Sequence, residues 1–241
     1  MTDATLMPPA ATGLTVFDLR EVPVAGEAGA GFLGQRLAVS HHPGWEFWRA
    51  SGAEMAGTHE SGGWHLVVLL LDGTLGLRGR GLEVSLAAGD IALIAPGVRF
   101  DWTAGPGARW IVNGRAGAAA ATSTPAIARI DREAPQEPSA PPAADLLQGP
   151  VPSCTKRTLA ASADGSWSAG LWSATPFERR PVRYGYYELM QLHDGAVTVF
   201  DAAGHERTFG PGAVFLMPEG TTAGWRSTVP VRKFWSILTP E

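Results

Sequence analysis

Tyr184, Tyr186, Glu188 and Met190 fall at every second position of residues 183–192. On an extended strand, residues two apart share a face. Two phenols, a carboxylate and a thioether therefore project to one side. Phenols donate and accept hydrogen bonds. A carboxylate held among aromatic rings and away from water acquires a raised pKa and can serve as general acid or base. Glu188, Tyr184 and Tyr186 are thus the candidate catalytic residues, with Met190 beside them as a candidate ligand contact. Glu188 has a second open role, an ion pair with Arg183, Arg232 or Lys233, in which it is held rather than reactive. Tyr187 and His193 have the opposite parity and are assigned to packing or solvent.

The other acid–base cluster is His59, Glu60 and His65. A histidine next to an apolar strand is more often a packed residue than a catalytic one, and the same holds for this trio. Two further residues, Trp225 and Arg232, join the candidate ligand-binding set. Trp225 offers a flat apolar wall at the mouth of a pocket, and Arg232 a cation. The chain has no phosphate-binding loop, no nucleophile elbow and no Cys/His spacing of a zinc site.

These residues need strands to carry them. Residues 64–71, Asp72-Gly73 and residues 74–78 read as a β-hairpin around a favoured turn dipeptide. Residues 213–217 form a short apolar run between the breaker cluster Gly210-Pro211-Gly212 and the turn Pro218-Glu219-Gly220. The first half holds a near copy: Gly89, Gly97 and Trp102 match Gly212, Gly220 and Trp225 at a constant offset of 123. Asp72-Gly73 matches Asp194-Gly195 at 122, and Trp48 to Ser51 resembles Trp172 to Thr175 at 124. Three landmarks in one order argue for an internal duplication. Many short strands at regular spacing point to a sandwich or barrel.

The order Gly, five residues, Pro, one residue, Gly, here Gly212, Pro218 and Gly220, resembles the second motif of the cupin superfamily. The C-terminal half is similar to cupins of the (S)-ureidoglycine aminohydrolase-like and ethanolamine-utilisation Q type. The residues that carry this are Gly170-Leu171-Trp172, Thr175-Pro176, residues 184–195 and residues 209–235, above all Trp225 and Val231-Arg232-Lys233. The resemblance implies an all-β chain of two tandem cupin (jelly-roll) β-barrels, a bicupin. The expected division is a loose tail over 1–13, a barrel over 14–116, an Ala/Pro-rich linker over 117–152 and a second barrel over 153–241.

Catalytic cupins hold a metal through a His-x-His pair and a Glu of the first motif and a His of the second. In the second half, Glu188 matches the motif Glu. The His-x-His slots fall near Val182 and Tyr184, or at Pro181 and Arg183, and the second-motif slot is Ala223. In the first half these places fall at Leu66, near Glu60 and Gly62, and at Phe100, with His65 one residue out of phase. The similar aminohydrolases keep a Glu, two His and a Gln around manganese. This pattern is missing here, so neither a metal nor another cofactor is expected. A divergent site built from His59, Glu60 or His65 is the remaining way to a metal.

The net charge of −4 lacks the basic footprint of a nucleic-acid binder. The longest apolar run, residues 66–71, is far short of the about 18 residues of a membrane span. The single Cys154 excludes an internal disulfide. The N-terminus lacks a basic start followed by an apolar core, so a cytoplasmic protein is expected. The expected partner is a small organic molecule, with a homodimer as the candidate assembly. The resemblance implies small nitrogen compounds of ureido or amino-acid type as ligands. Three roles follow: a metal-independent hydrolase, lyase or isomerase, a non-catalytic or regulatory binder, or a metal-dependent aminohydrolase-like enzyme.

Overall fold

The computed structural model describes residues 14–25, 31–39, 42–52, 55–117 and 126–240. The tail expected over 1–13 lies outside them. Among the described residues the fold is all-β apart from one 3-10 turn at Ala144–Leu146. Among the described residues no helix is long and apolar enough to cross a membrane.

Four antiparallel sheets form two barrels. The larger sheet of the first barrel orders Ile127–Arg129, Ile91–Ile94, Trp64–Asp72, Ala108–Ala116, Trp45–Gly52, Gln35–Leu37 and Val24–Ala25. Its smaller sheet orders Met55–Glu60, Arg99–Ala104, Thr74–Gly79 and Leu82–Ala87. The second barrel repeats this plan. Its larger sheet orders Phe17–Asp18, Val214–Met217, Tyr187–Asp194, Val231–Leu238, Trp167–Ala174, Cys154–Ala161 and Glu137–Ser139. Its smaller sheet orders Phe177–Arg183, Thr222–Ser227, Val197–Phe200 and Glu206–Phe209.

The duplication is visible in the register. Leu66 pairs with Ile94, and Glu188 with Met217; Val67 faces Asn113, and Leu189 faces Ser236. The hairpin glycines Gly73 and Gly195 have φ of 72° and 77°. A Cβ there would lie 2.8 Å from the Ala108 backbone and 2.1 Å from the Pro230 carbonyl oxygen respectively. Only glycine meets both demands. The match of Trp48 to Trp172 is corrected by the same registers. Trp172 faces Lys233 as Ala50 faces Trp110, so Ala50 and Trp172 are the equivalent pair.

Each barrel has a core between its two sheets, and a third core lies between the two larger sheets. That third core brings Trp45, Phe47, Val67 and Leu69 onto Trp167, Leu189, Leu216 and Phe234. Alternation along each strand sends one residue to this interface and the next into the barrel. The interface also holds polar groups. Trp167 Nε1 donates to Ser236 Oγ at 2.9 Å, which donates to Asn113 Oδ1 at 3.0 Å. Asn113 Nδ2 then donates to the Glu46 carbonyl at 3.2 Å, so Trp167, Ser236 and Asn113 form one connected chain.

Three expectations change. The start of the stretch assigned to the first barrel, 14–116, places Phe17–Asp18 on the edge of the second barrel's sheet instead, against Phe215 and Leu216. Two short pieces of the expected linker over 117–152 are built into sheet edges: Ile127–Arg129 pairs with Ile91–Ile94, and Glu137–Ser139 with Cys154–Ala161. Residues 183–192 are not one strand. Phe177–Arg183 ends in the smaller sheet, Tyr187–Asp194 begins in the larger, and Tyr184 to Tyr186 turn the corner.

Candidate functional site

A cavity of about 370 Å³ lies inside the second barrel. Its floor comes from the larger sheet, where Ser168 and Trp172 on one strand, Lys233, Trp235 and Ile237 on the next, and Glu188 on a third face inward. Phe177, Arg179 and Trp225 of the smaller sheet form the opposite wall, and Tyr184 and Tyr186 come from the corner. Gly170, between the two floor positions Ser168 and Trp172, makes room for an indole: a Cβ there would lie 2.8 Å from a Trp235 ring carbon.

Lys233 Nζ donates to Glu188 Oε1 at 2.8 Å, with side-chain exposures of 9% and 8%. The pair is therefore shielded from water and screening. Of the three partners open to Glu188, the structure selects Lys233. Its ammonium also lies 3.0 Å from Met190 Sδ and 5.0 Å from the ring centroids of both Trp172 and Trp225. Two indole rings and one carboxylate thus surround this side-chain nitrogen. Trp225 stacks on Phe177 at 6.3 Å and 14° and meets Trp172 edge-on.

At the corner, the Tyr184 amide donates to the Thr221 carbonyl, and the Tyr184 carbonyl accepts from the Gly220 amide, both at 2.8 Å. This ties the phenols to the turn after the Pro218 motif. Arg179 donates to the Tyr184 hydroxyl at 2.9 Å. Burial pushes the Tyr184 pKa up, with Arg179 pulling the other way, and burial with the nearby Glu188 charge pushes Tyr186 up as well. Both phenols stay protonated and able to donate.

Tyr184, Tyr186, Glu188 and Trp225 are brought together as the residue pattern predicts. Met190 shares their side but is fully buried beneath Lys233. Arg232 is a correction. It adjoins Lys233 on one strand and so faces the other way, where it pairs with Glu133 at 2.9 Å and Asp194 at 3.3 Å. Sequence reasoning missed Arg179, Trp172 and Phe177. Trp172 was within reach, because the resemblance already singles out Gly170-Leu171-Trp172. Arg179 was not, because the pairing of its strand slips between Arg179 and Val182.

The first barrel is filled. Leu66 and Trp110 occupy the places of Glu188 and Lys233. Phe32 enters from a loop and meets Phe100 edge-on at 4.9 Å, with Trp102 at 6.0 Å and Trp110 at 6.2 Å. Trp110 Nε1 donates to the Phe32 carbonyl at 2.8 Å. His59 packs on Phe32 and Phe100, and burial lowers its pKa. Glu60 is exposed, whereas His65 faces the interface between the larger sheets, 4.9 Å from Trp167. The trio is not gathered.

The residues present do not fit a cupin metal. Leu66, Phe100 and Ala223 cannot ligate, and the Glu188 carboxylate is held by an ammonium. Among the described residues no three His, Cys, Asp or Glu side chains gather into a metal-binding group.

Residues 161–235 match the EutQ-like cupin domain family. No curated protein matches the chain. Among solved structures, a protein of unknown function of the DUF861 family from Pseudomonas syringae pv. tomato str. DC3000 is 25% identical, with a TM-score of 0.78 over 93% of this chain and 99% of that one. A cupin 2 conserved barrel domain protein from Leptotrichia buccalis is 12% identical, with a TM-score of 0.65 over 94% and 97%. Protein Ylba from E. coli is 8% identical, with a TM-score of 0.60 over 94% and 90%. At these identities the last two report the fold alone.

Proposed function

We propose that this chain, whose C-terminal part is an EutQ-like cupin domain, is a bicupin that takes one small organic molecule into its second barrel and acts on it without a metal ion. The observation that carries this reading is the Glu188–Lys233 pair on the floor of an aromatic-walled cavity, 2.8 Å between Oε1 and Nζ. Pockets of this kind, mostly apolar with a few convergent polar groups, are where small ligands bind. In this reading Lys233 supplies the fixed positive charge, Glu188 exchanges a proton with the bound molecule, and Tyr184 and Tyr186 donate to the oxygen that gains charge. A hydrolase, lyase or isomerase step on a ureido or amino-acid-like compound is the corresponding chemistry. Cytoplasmic location and a homodimer belong to the same proposal.

A second reading, a non-catalytic binder, is favoured by one feature: an ammonium flanked by two indoles holds Glu188 in place. Melting curves with hydantoate and free amino acids, together with product analysis, separate the two. Binding raises the midpoint in both readings, and only the enzyme yields product. Glu188→Gln is expected to abolish the ligand-induced shift and His65→Ala to keep it. Loss of the shift in His65→Ala with retention in Glu188→Gln overturns the proposal.

A further inference from the structure

The cavity wall has more hydrogen-bond donors than it can use. Arg179 spends one terminal nitrogen on the Tyr184 hydroxyl, while its Nε is buried with no acceptor. It has no carboxylate partner among the described residues. Its cross-strand neighbour is Trp225, and Trp225 Nε1 is likewise buried with no acceptor. Two unsatisfied donors on adjacent strands of one wall are costly unless something supplies oxygen atoms. The charge balance agrees. Arg179, Lys233 and the rim residue Lys156 face one carboxylate, Glu188, which already accepts from Lys233.

Aromatic rings also recognise organic cations. That role is already filled, because the Lys233 ammonium sits 5.0 Å from both indole centroids. A second cation would meet Arg179, which has no carboxylate partner among the described residues, beside a Lys233 whose ammonium already holds Glu188. The rings are left to do what flat apolar surfaces do with a planar group.

We infer that the ligand is an organic monoanion, a carboxylate on a flat aromatic, conjugated or ureido body, with its carboxylate at Arg179 and Trp225 Nε1 and its flat body against the indole and phenyl rings. The inference rests on the second barrel being the binding site. A guanidinium can meet a carboxylate through two parallel N–H donors, and such charge-assisted bonds are about twice as strong as neutral ones.

The test is calorimetric titration of the full chain with benzoate, its neutral analogue benzamide, the cation benzylamine, and hydantoate. Benzoate is expected to bind at least about tenfold more tightly than benzamide, the ratio for losing a charge-assisted hydrogen bond. Benzylamine is expected not to bind. Arg179→Gln should weaken benzoate by about 10- to 100-fold, and Arg179→Lys should recover only part of it, since a lysine keeps the charge without the fork. Far-ultraviolet circular dichroism of each variant separates lost affinity from lost fold. If benzamide or benzylamine binds as tightly as benzoate and Glu188→Gln removes that binding, the monoanion inference fails while the site stands. If Arg179→Gln is folded and binds benzoate at full strength, the placement of the carboxylate fails. If none of the four compounds binds, the inference and the reading beneath it fall together.

Discussion

Glu188→Gln keeps the shape of the side chain and removes its charge, which leaves Lys233 buried and without a counter-ion. Breaking a buried pair from one side costs about 3–5 kcal/mol. Both side chains are less than a tenth exposed, so solvent screening offers little relief. For a chain of this length each kcal/mol lowers the melting midpoint by about 2–4 °C, which makes the expected drop about 6–20 °C. Lys233→Met should behave similarly, as it strands the carboxylate. The joint replacement Glu188→Leu with Lys233→Met is expected to be neutral or to stabilise by about 1–4 kcal/mol. The first barrel already uses an apolar solution at these positions, with Leu66 and Trp110. Urea unfolding of the wild type, Glu188→Leu, Lys233→Met and the double variant gives the coupling energy directly. If Glu188→Gln changes stability by less than about 0.5 kcal/mol, the range of ordinary surface changes, the pair is not a buried ion pair and the account of the cavity floor is wrong.

Phe32→Ala should cost about 3–5 kcal/mol, the usual price of emptying a buried aromatic site, and urea unfolding checks it; an unchanged midpoint would mean that Phe32 does not fill the first barrel. His193 is pushed down to about 4 by burial and by Arg132 and Arg232, with Glu133 opposing. The unfolded chain then binds a proton that the folded chain does not, between the ordinary value of 6.5 and about 4. Stability is therefore expected to fall by a few kcal/mol as pH drops through that window, and His193→Gln should flatten that limb of the pH–stability curve. Elemental analysis of protein purified without chelator should find no stoichiometric Mn, Fe, Zn or Ni, whereas one tightly held ion per chain would refute the reading of Phe100 and Ala223.

What could be read from the chain was what depends on local rules. Gly73 and Gly195 announced their turns because a positive φ and a close backbone approach leave no other residue type. The alternation of Tyr184, Tyr186 and Glu188 pointed to one side even though the strand breaks at the corner, because the turn delivers the phenols to the same cavity. What could not be read depends on distant partners. The choice of Lys233 over Arg232 is made by strand register, which sets which of two adjacent residues faces Trp172 and Glu188. Phe32 fills its barrel from a loop, with no periodic signal to mark it. Phe17–Asp18 joins a strand almost 200 residues away, a pairing that no local pattern encodes.

A crystal structure of the protein with a bound compound from the titrated set tests the central claim most directly. The account predicts density inside the second barrel, in contact with Arg179 and within reach of the Glu188–Lys233 pair, and none in the first barrel, where Phe32, Phe100 and Trp110 leave no room. Density in the first barrel or between the two larger sheets, with the second barrel empty, would contradict it.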